Sequence, residues 1–335
     1  MTLKRILSFL LILILLSGCS NNPLDVDASK VQVNIGFVNL DSIFVNSDSA
    51  QLIKQHHKHL KEINEIYEYE LGYCLGVGNP SDTAFLRSVR MFLSDPYIAR
   101  LENRIAEKFP NLENQKEKII SGFKYLKFHL PSTKLPESIV FMNSFFAANA
   151  FSTEKQIGVG LERYLGMKTD VIKELPGQDF PEWMREGMDA QFLSRDVLCS
   201  WIMTHCIDEV KGNLADNIVR WGKVLYLTQA AFPESNPATI LRYSEADYKW
   251  AIDNEYSLWK YLVDQKMLFK IDDLNTTNLL NDGPFTPGLP EKGPDRLGQF
   301  LGLRIIEAYM KEKEITIQQL INTPYANILI EYEID

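Results

Sequence analysis

Ser138-Ile-Val-Phe-Met-Asn143 and Gln156-Ile-Gly-Val-Gly-Leu-Glu162 are the stretches on which the fold turns. Each is short, apolar and bounded by turn residues or by Pro136, the signature of a strand. Phe145-Phe-Ala-Ala-Asn-Ala150 joins them, so a small sheet is expected here. Around it the chain reads as helix. Upstream, Ile53, Leu60, Ile63 and Tyr67 share one face of a helix over 52–69. Ile98, Leu101, Ile105 and Phe109 form a second stripe, and Ile119, Phe123 and Leu126 a third, over 112–130 before Pro131. Before these, Val31, Val33, Ile35 and Phe37 alternate with polar residues or glycine, as in a half-buried strand over 31–40.

Downstream of Pro181 the helical pattern hardly pauses. Ser244-Glu-Ala-Asp247 and Thr316-Ile-Gln-Gln319 are capping boxes, in which side chains satisfy the free N–H groups of a helix start. The first introduces Tyr248, Ile252, Trp259 and Val263 on one face. The segment 281–294 holds four prolines and three glycines and reads as a long loop. The fold class is therefore mostly α (α+β), helices around a small β-sheet. A single domain is expected over 31–335, with a possible subdomain at 31–135.

The amino terminus sets the location. Lys4 and Arg5 precede the apolar run from Ile6 to Leu16, which Leu16-Ser17-Gly18-Cys19 closes. A charged start, a short apolar core and small residues mark an export signal. Its ending is the lipobox of a bacterial lipoprotein, implying removal of residues 1–18 and lipid attachment at Cys19. About 11 apolar residues are too few to span a bilayer, which takes about 20. Residues 19–30 are polar and read as a flexible tether. Membrane contact through that lipid, with the domain facing the periplasm, is the expected placement.

The whole chain carries 35 basic and 44 acidic residues, net −9. Without residues 1–18 it loses Lys4 and Arg5 and no acid, leaving −11. That balance argues against nucleic acid and against a polybasic grip on anionic lipid. Cys74, Cys199 and Cys206 make no even disulfide set, and free thiols are expected.

Catalytic patterns are missing from the sequence. His56, His57 and His59 lie among Lys54, Lys58 and Lys61, which would oppose a cation, so a solvated helix flank is expected. Cys199, His205 and Cys206 have neither structural nor catalytic zinc spacing. No His-Glu dipeptide, Gly-x-Ser-x-Gly elbow or phosphate loop occurs. Gly298 and Gly302 would let another helix approach closely. No metal, cofactor or catalytic residue is assigned.

Several ordered motifs carry a family resemblance. They are Ile157 to Gly166, Phe180-Pro-Glu-Trp183, Gly222-Lys223-Val-Leu-Tyr226, Phe232-Pro233, Asn254-Glu255-Tyr-Ser-Leu-Trp259, Gly283-Pro-Phe-Thr286 and Gly293-Pro294-Asp-Arg296-Leu-Gly298-Gln-Phe-Leu-Gly302, running on to Met310. Behind a lipobox, this set resembles the gliding motility-associated lipoprotein GldB of the Bacteroidetes. The resemblance implies a cell-envelope role in gliding, a link to type IX protein secretion, and other envelope proteins as partners. It singles out Gly222, Lys223, Tyr226, Glu255, Trp259, Pro294, Arg296, Gly298 and Gly302 as structural or interaction residues. It also implies a distant likeness to predicted zincin-type peptidases. Asp196 to Cys206, in the place of their zinc helix, lacks the paired histidines and the glutamate. A catalytically dead zincin-like scaffold retained for binding is the expectation, with a cryptic hydrolase, or a polysaccharide- or peptide-binding lipoprotein, as alternatives.

Overall fold

The computed structural model describes residues 22–76, 82–271, 277–289 and 293–332. The lipobox, Cys19 and the start of the tether lie outside the described residues. One sheet holds four strands, β1 Gly36–Asn39, β2 Ser138–Met142, β3 Ala150–Ser152 and β4 Gln156–Gly160, in the order β1-β2-β4-β3. β1 and β4 both run parallel to β2, with Val38 opposite Val140 and Val140 opposite Gly158. β3 closes the edge antiparallel to β4. A parallel core is covered on both sides, which explains why Ser138-Ile-Val-Phe-Met142 is apolar without alternation. Ile139 and Phe141 enter one hydrophobic cluster, while Val140 and Met142 enter another.

The smaller cluster is built by α1 Leu40–Asn46, α2 Ser49–Glu62, α3 Asn64–Tyr69 and α4 Asp82–Ser94. A π-helical turn, Glu70–Cys74, continues α3. The larger cluster begins with α5 Pro96–Lys108 and α6 Glu113–His129. It is completed by α7 Asp170–Lys173, α8 Glu182–Glu186, α9 Leu193–His205, α10 Leu214–Ala231, α11 Pro237–Leu241, α12 Glu245–Asp253, α13 Glu255–Asp264, α14 Leu297–Lys313, α15 Ile317–Asn322 and α16 Tyr325–Leu329. No helix among the described residues is long and apolar enough to cross a membrane. The mostly helical α+β class is as expected, and Thr316 and Gln319 form the full capping box.

Six local expectations need correction. The strand over 31–40 shrinks to four residues, because Leu40 already opens α1 behind an Asn39 cap. The helix over 52–69 breaks at Ile63, where the Gln156 amide inserts. Its Nε2 donates to Glu62 O at 3.0 Å, and its Oε1 accepts from Ile66 N at 3.4 Å. A side chain thus takes over the backbone groups that the break frees. The joining segment ends in a strand, β3, because Phe151 lies where a Cβ on Gly158 would stand.

The histidine flank is not solvated as a whole. His56 and His59 are buried, and only His57 is exposed. α4, which the sequence reading did not place, supplies Phe85 to stack on the His56 ring at 4.1 Å. His56 Nδ1 lies 3.0 Å from Tyr67 Oη, and burial pushes the His59 pKa down to about 4. The face from Tyr248 to Val263 is interrupted at Asn254, which ends α12, so Ile252 and Val263 are exposed while Leu258 and Leu262 are buried. The tether is docked from Asn22 onward. Leu24 and Ala28 are buried, Asn22 Nδ2 donates to Pro233 O, and Tyr125 Oη donates to Asp25. Burying the Leu24 side chain outweighs the freedom that a polar linker would otherwise keep.

Candidate functional site

β1, β2 and β4 all end on the same edge of the sheet, and each hands the chain to a polar turn. In sheets with parallel strands, ligands tend to bind outside these carboxyl ends. β1 is followed by Asp41, β2 by Asn143 and Ser144, and β4 by Glu162 and Arg163. Asp41 Oδ1 accepts from Asn143 N at 2.7 Å, and Asn143 Nδ2 donates to Glu102 of α5 at 2.8 Å. Ser144 Oγ lies 2.5 Å from Glu162 Oε1, which also accepts from Phe146 N at 2.8 Å. These bonds hold Phe145 and Phe146 at φ 56° and 63°, a left-handed conformation that costs branched and bulky residues energy. Gly160 permits the close approach, since a Cβ there would meet Ala148 O and Ser144 Oγ.

Four carboxyl groups are therefore gathered behind the turn: Asp41, Glu70, Glu102 and Glu162. All are buried, and among the described residues none forms an ion pair. Asp41 Oδ2 and Glu162 Oε2 have no hydrogen-bond partner among the described residues, and Glu70 faces no donor there but the Cys74 thiol. Desolvation raises all four pKa values, Glu70 to about 8 and Glu102 to about 7, with repulsion between the acids adding to it at Asp41, Glu70 and Glu102 and hydrogen bonds opposing it at Glu162. Glu70 and Glu102 thus hold their protons in weak acid and lose them across neutral pH. Among the described residues, no group of three His, Cys, Asp or Glu side chains could hold a metal ion.

On the open side of the same turn lies a cleft of about 510 Å³. Arg163, Arg242 and Arg296 face it, with Trp183, Met184, Phe192 and Tyr243 as its apolar surface and Asn149 beside Arg163. Arg242 pairs with Asp196 of α9, donates to Gly187 O, and stacks over Phe192 at 4.6 Å. Arg195 Nη1 reaches the same Asp196 at 3.1 Å, and Tyr164 Oη donates to it at 2.9 Å. These cations hold the Asp196 pKa down despite its burial. Arg296 grips Asp295 with two bonds, 2.9 and 3.0 Å, and lies over Tyr243 at 5.4 Å. Arg163 differs. Its Nε donates to Asn149 Oδ1 at 2.6 Å, and no carboxylate pairs with it among the described residues.

The residues singled out by family motifs separate into groups. Gly222 of α10 and Gly302 of α14 touch backbone to backbone, while Gly298 packs on Leu279. Lys223 is buried, its pKa lowered by desolvation to about 8, and it donates to Ile321 O and Thr323 O at the end of α15. Glu255 receives Arg304 and the Tyr332 hydroxyl, and Trp259 meets Tyr332 edge-on. Tyr226 lines a groove beside Asn22. Only Pro294 and Arg296 reach the cleft. Arg163, Arg242, Asp196 and the four buried acids were not singled out as chemical groups. Their signal was charge placed directly after a buried strand, or alone on an apolar helix.

Fold and site define a mostly helical α+β protein with a polar cleft at the carboxyl edge of a small sheet. The family model of the gliding motility protein GldB matches residues 21–333, and the chain belongs to that family. Its members are lipoproteins associated with gliding motility. No curated protein and no solved structure matches the chain.

Proposed function

We propose that this gliding-motility lipoprotein is held in the cell envelope by lipid on Cys19 and acts through protein contacts that also support type IX secretion. Its scaffold, zincin-like on this reading, does no peptidase chemistry. The observation that carries the non-catalytic part is the state of α9, the helix in the position of a peptidase zinc helix. His205 Nε2 lies 2.8 Å from Thr153 O, and its ring stacks on Trp201 at 3.7 Å. Trp201 Nε1 donates to Lys134 O, Ser200 meets Ser152, and Cys206 meets Thr133. These four side chains tie α9 to the β3 edge or to the segment before β2, while Asp196 is held by Arg195, Arg242 and Tyr164.

The docked amino-terminal segment supports close anchoring. Two residues separate Cys19 from Asn22, three peptide steps with a reach of about 11 Å at full extension. The surface around Tyr226, Pro233, Met310 and Ile315 is then held near the bilayer.

Three measurements test this reading. Labelled palmitate should enter the wild type and not Cys19→Ala, and equal labelling would end the lipid assignment. Depletion should abolish colony spreading and the export of type IX cargo, and normal export with lost spreading would remove the secretion link. Elemental analysis of purified protein should show no stoichiometric zinc. A full equivalent, lost in the His205→Ala, Cys206→Ala double variant, would promote the hydrolase reading.

A further inference from the structure

We infer that the cleft beneath the 143–149 turn binds a singly charged carboxylate on a short peptide segment, and that Arg163 is the residue that grips it. The cleft lining sets Arg163, Arg242 and Arg296 against Glu186, Asp247, Asp282 and Asp295, and the lining arginine left without an ion pair among the described residues is Arg163. Arg296 is matched by Asp295, but Arg242 and Arg195 share Asp196 alone. Among the described residues Arg163 forms no ion pair, and burial disfavours its charged form, an effect that the charges of Glu162 and Asp282 only partly offset. A desolvated guanidinium without a counter-ion is costly, and an anion from outside would relieve that cost.

Its donors are placed for this. Nε is spent on Asn149, and the Nη1 contact is a weak one to Met184 Sδ at 3.8 Å. The remaining N–H groups of the guanidinium are available to the cleft that Arg163 lines. Asn149 uses its Oδ1 to accept from Arg163, which leaves its own Nδ2 to donate beside the guanidinium. A guanidinium and a side-chain amide together suit the two oxygens of one carboxylate.

The rest of the cleft selects among anions. Glu186, Asp247 and Asp282 also line it and would repel a dianion such as phosphate or any polyanionic chain. Trp183, Met184, Phe192 and Tyr243 offer apolar and aromatic surface to side chains. A volume of about 510 Å³ suits a ligand of drug-like size, such as a few residues. This inference is independent of the motility and secretion reading, because it concerns binding by the purified protein.

The test is calorimetry on the lipid-free domain with acetyl-Ala-Ala-Phe, its carboxyl-terminal amide, glucuronate and inorganic phosphate. The free peptide should bind at least about tenfold more tightly than the amide, the scale of one charge-assisted pair. Arg163→Gln should remove that preference and Arg163→Lys should keep part of it, with both variants retaining the wild-type melting transition. Equal binding of peptide and amide, no binding of either at millimolar concentration, or tighter binding of glucuronate or phosphate would each overturn the proposal. If Arg163→Gln fails to fold, Asn149→Asp decides, since its added negative charge should weaken the free peptide and spare the amide.

Discussion

Gly222→Ala and Gly302→Ala should each destabilise the domain by about 2–3 kcal/mol, although alanine favours helix over glycine by about 1 kcal/mol. A Cβ on Gly222 would meet the backbone carbonyl of Gly302, and one on Gly302 would meet Ile218 O and the Gly222 backbone. Backbone cannot rotate aside as a side chain can, so α10 and α14 must separate. That separation forfeits the packing of Ile218, Val219, Ile305 and Ile306, all almost fully buried. Gly72→Ala is the control, because no heavy atom lies near a Cβ there. Urea unfolding should show large midpoint losses for the first two and none for Gly72→Ala. Neutral behaviour of Gly302→Ala would mean that the helices have slack, and the motif glycines would need another explanation.

The parts of the fold that rest on local chemistry were readable. β2 and β4 announce themselves by apolar runs between turns, α5 and α6 by the spacing of their apolar residues, and α15 by its cap. What depends on distant partners was not. Nothing in Lys54 to Glu62 says that Phe85, on another helix, will cover His56. Nothing near Ile63 reveals that Gln156 will occupy a helix break. The cleft fails for the same reason, since Arg163, Asp196, Arg242 and Arg296 come from segments joined only by the tertiary fold. Arg296 was singled out for its motif, yet its pairing with Asp295 over Tyr243 is a property of the packed state.

Raising the pH from 5 to 8.5 should weaken the fold, and Glu70→Gln should reduce that loss. Glu70 and Glu102 have native pKa values of about 8 and 7 against an ordinary 4.5. The native state therefore holds more protons than the unfolded chain between these values. Their contribution to stability is full below pH 4.5 and falls as pH rises through 7 and 8. At about 1.4 kcal/mol per pH unit, the loss is on the order of 5 kcal/mol for the interacting cluster. His59 acts in the opposite direction, being held at about 4 against 6.5. Its contribution is present above pH 6.5 and is lost on acidification toward 4. Glu70→Gln removes one titration while leaving a neutral buried group, so it should gain about 2 kcal/mol over wild type at pH 8.5. At pH 5 it should gain nothing, so the two stability curves should coincide there and part as the pH rises. Hydrogen exchange should locate the effect in 143–149, because Asn143, Ser144 and Phe146 are held by Asp41, Glu102 and Glu162. Deprotonation within that group strains the turn that carries Asn149. A stability that stays flat from pH 5 to 8.5 in the His59→Gln variant would show that the four acids do not share one buried site.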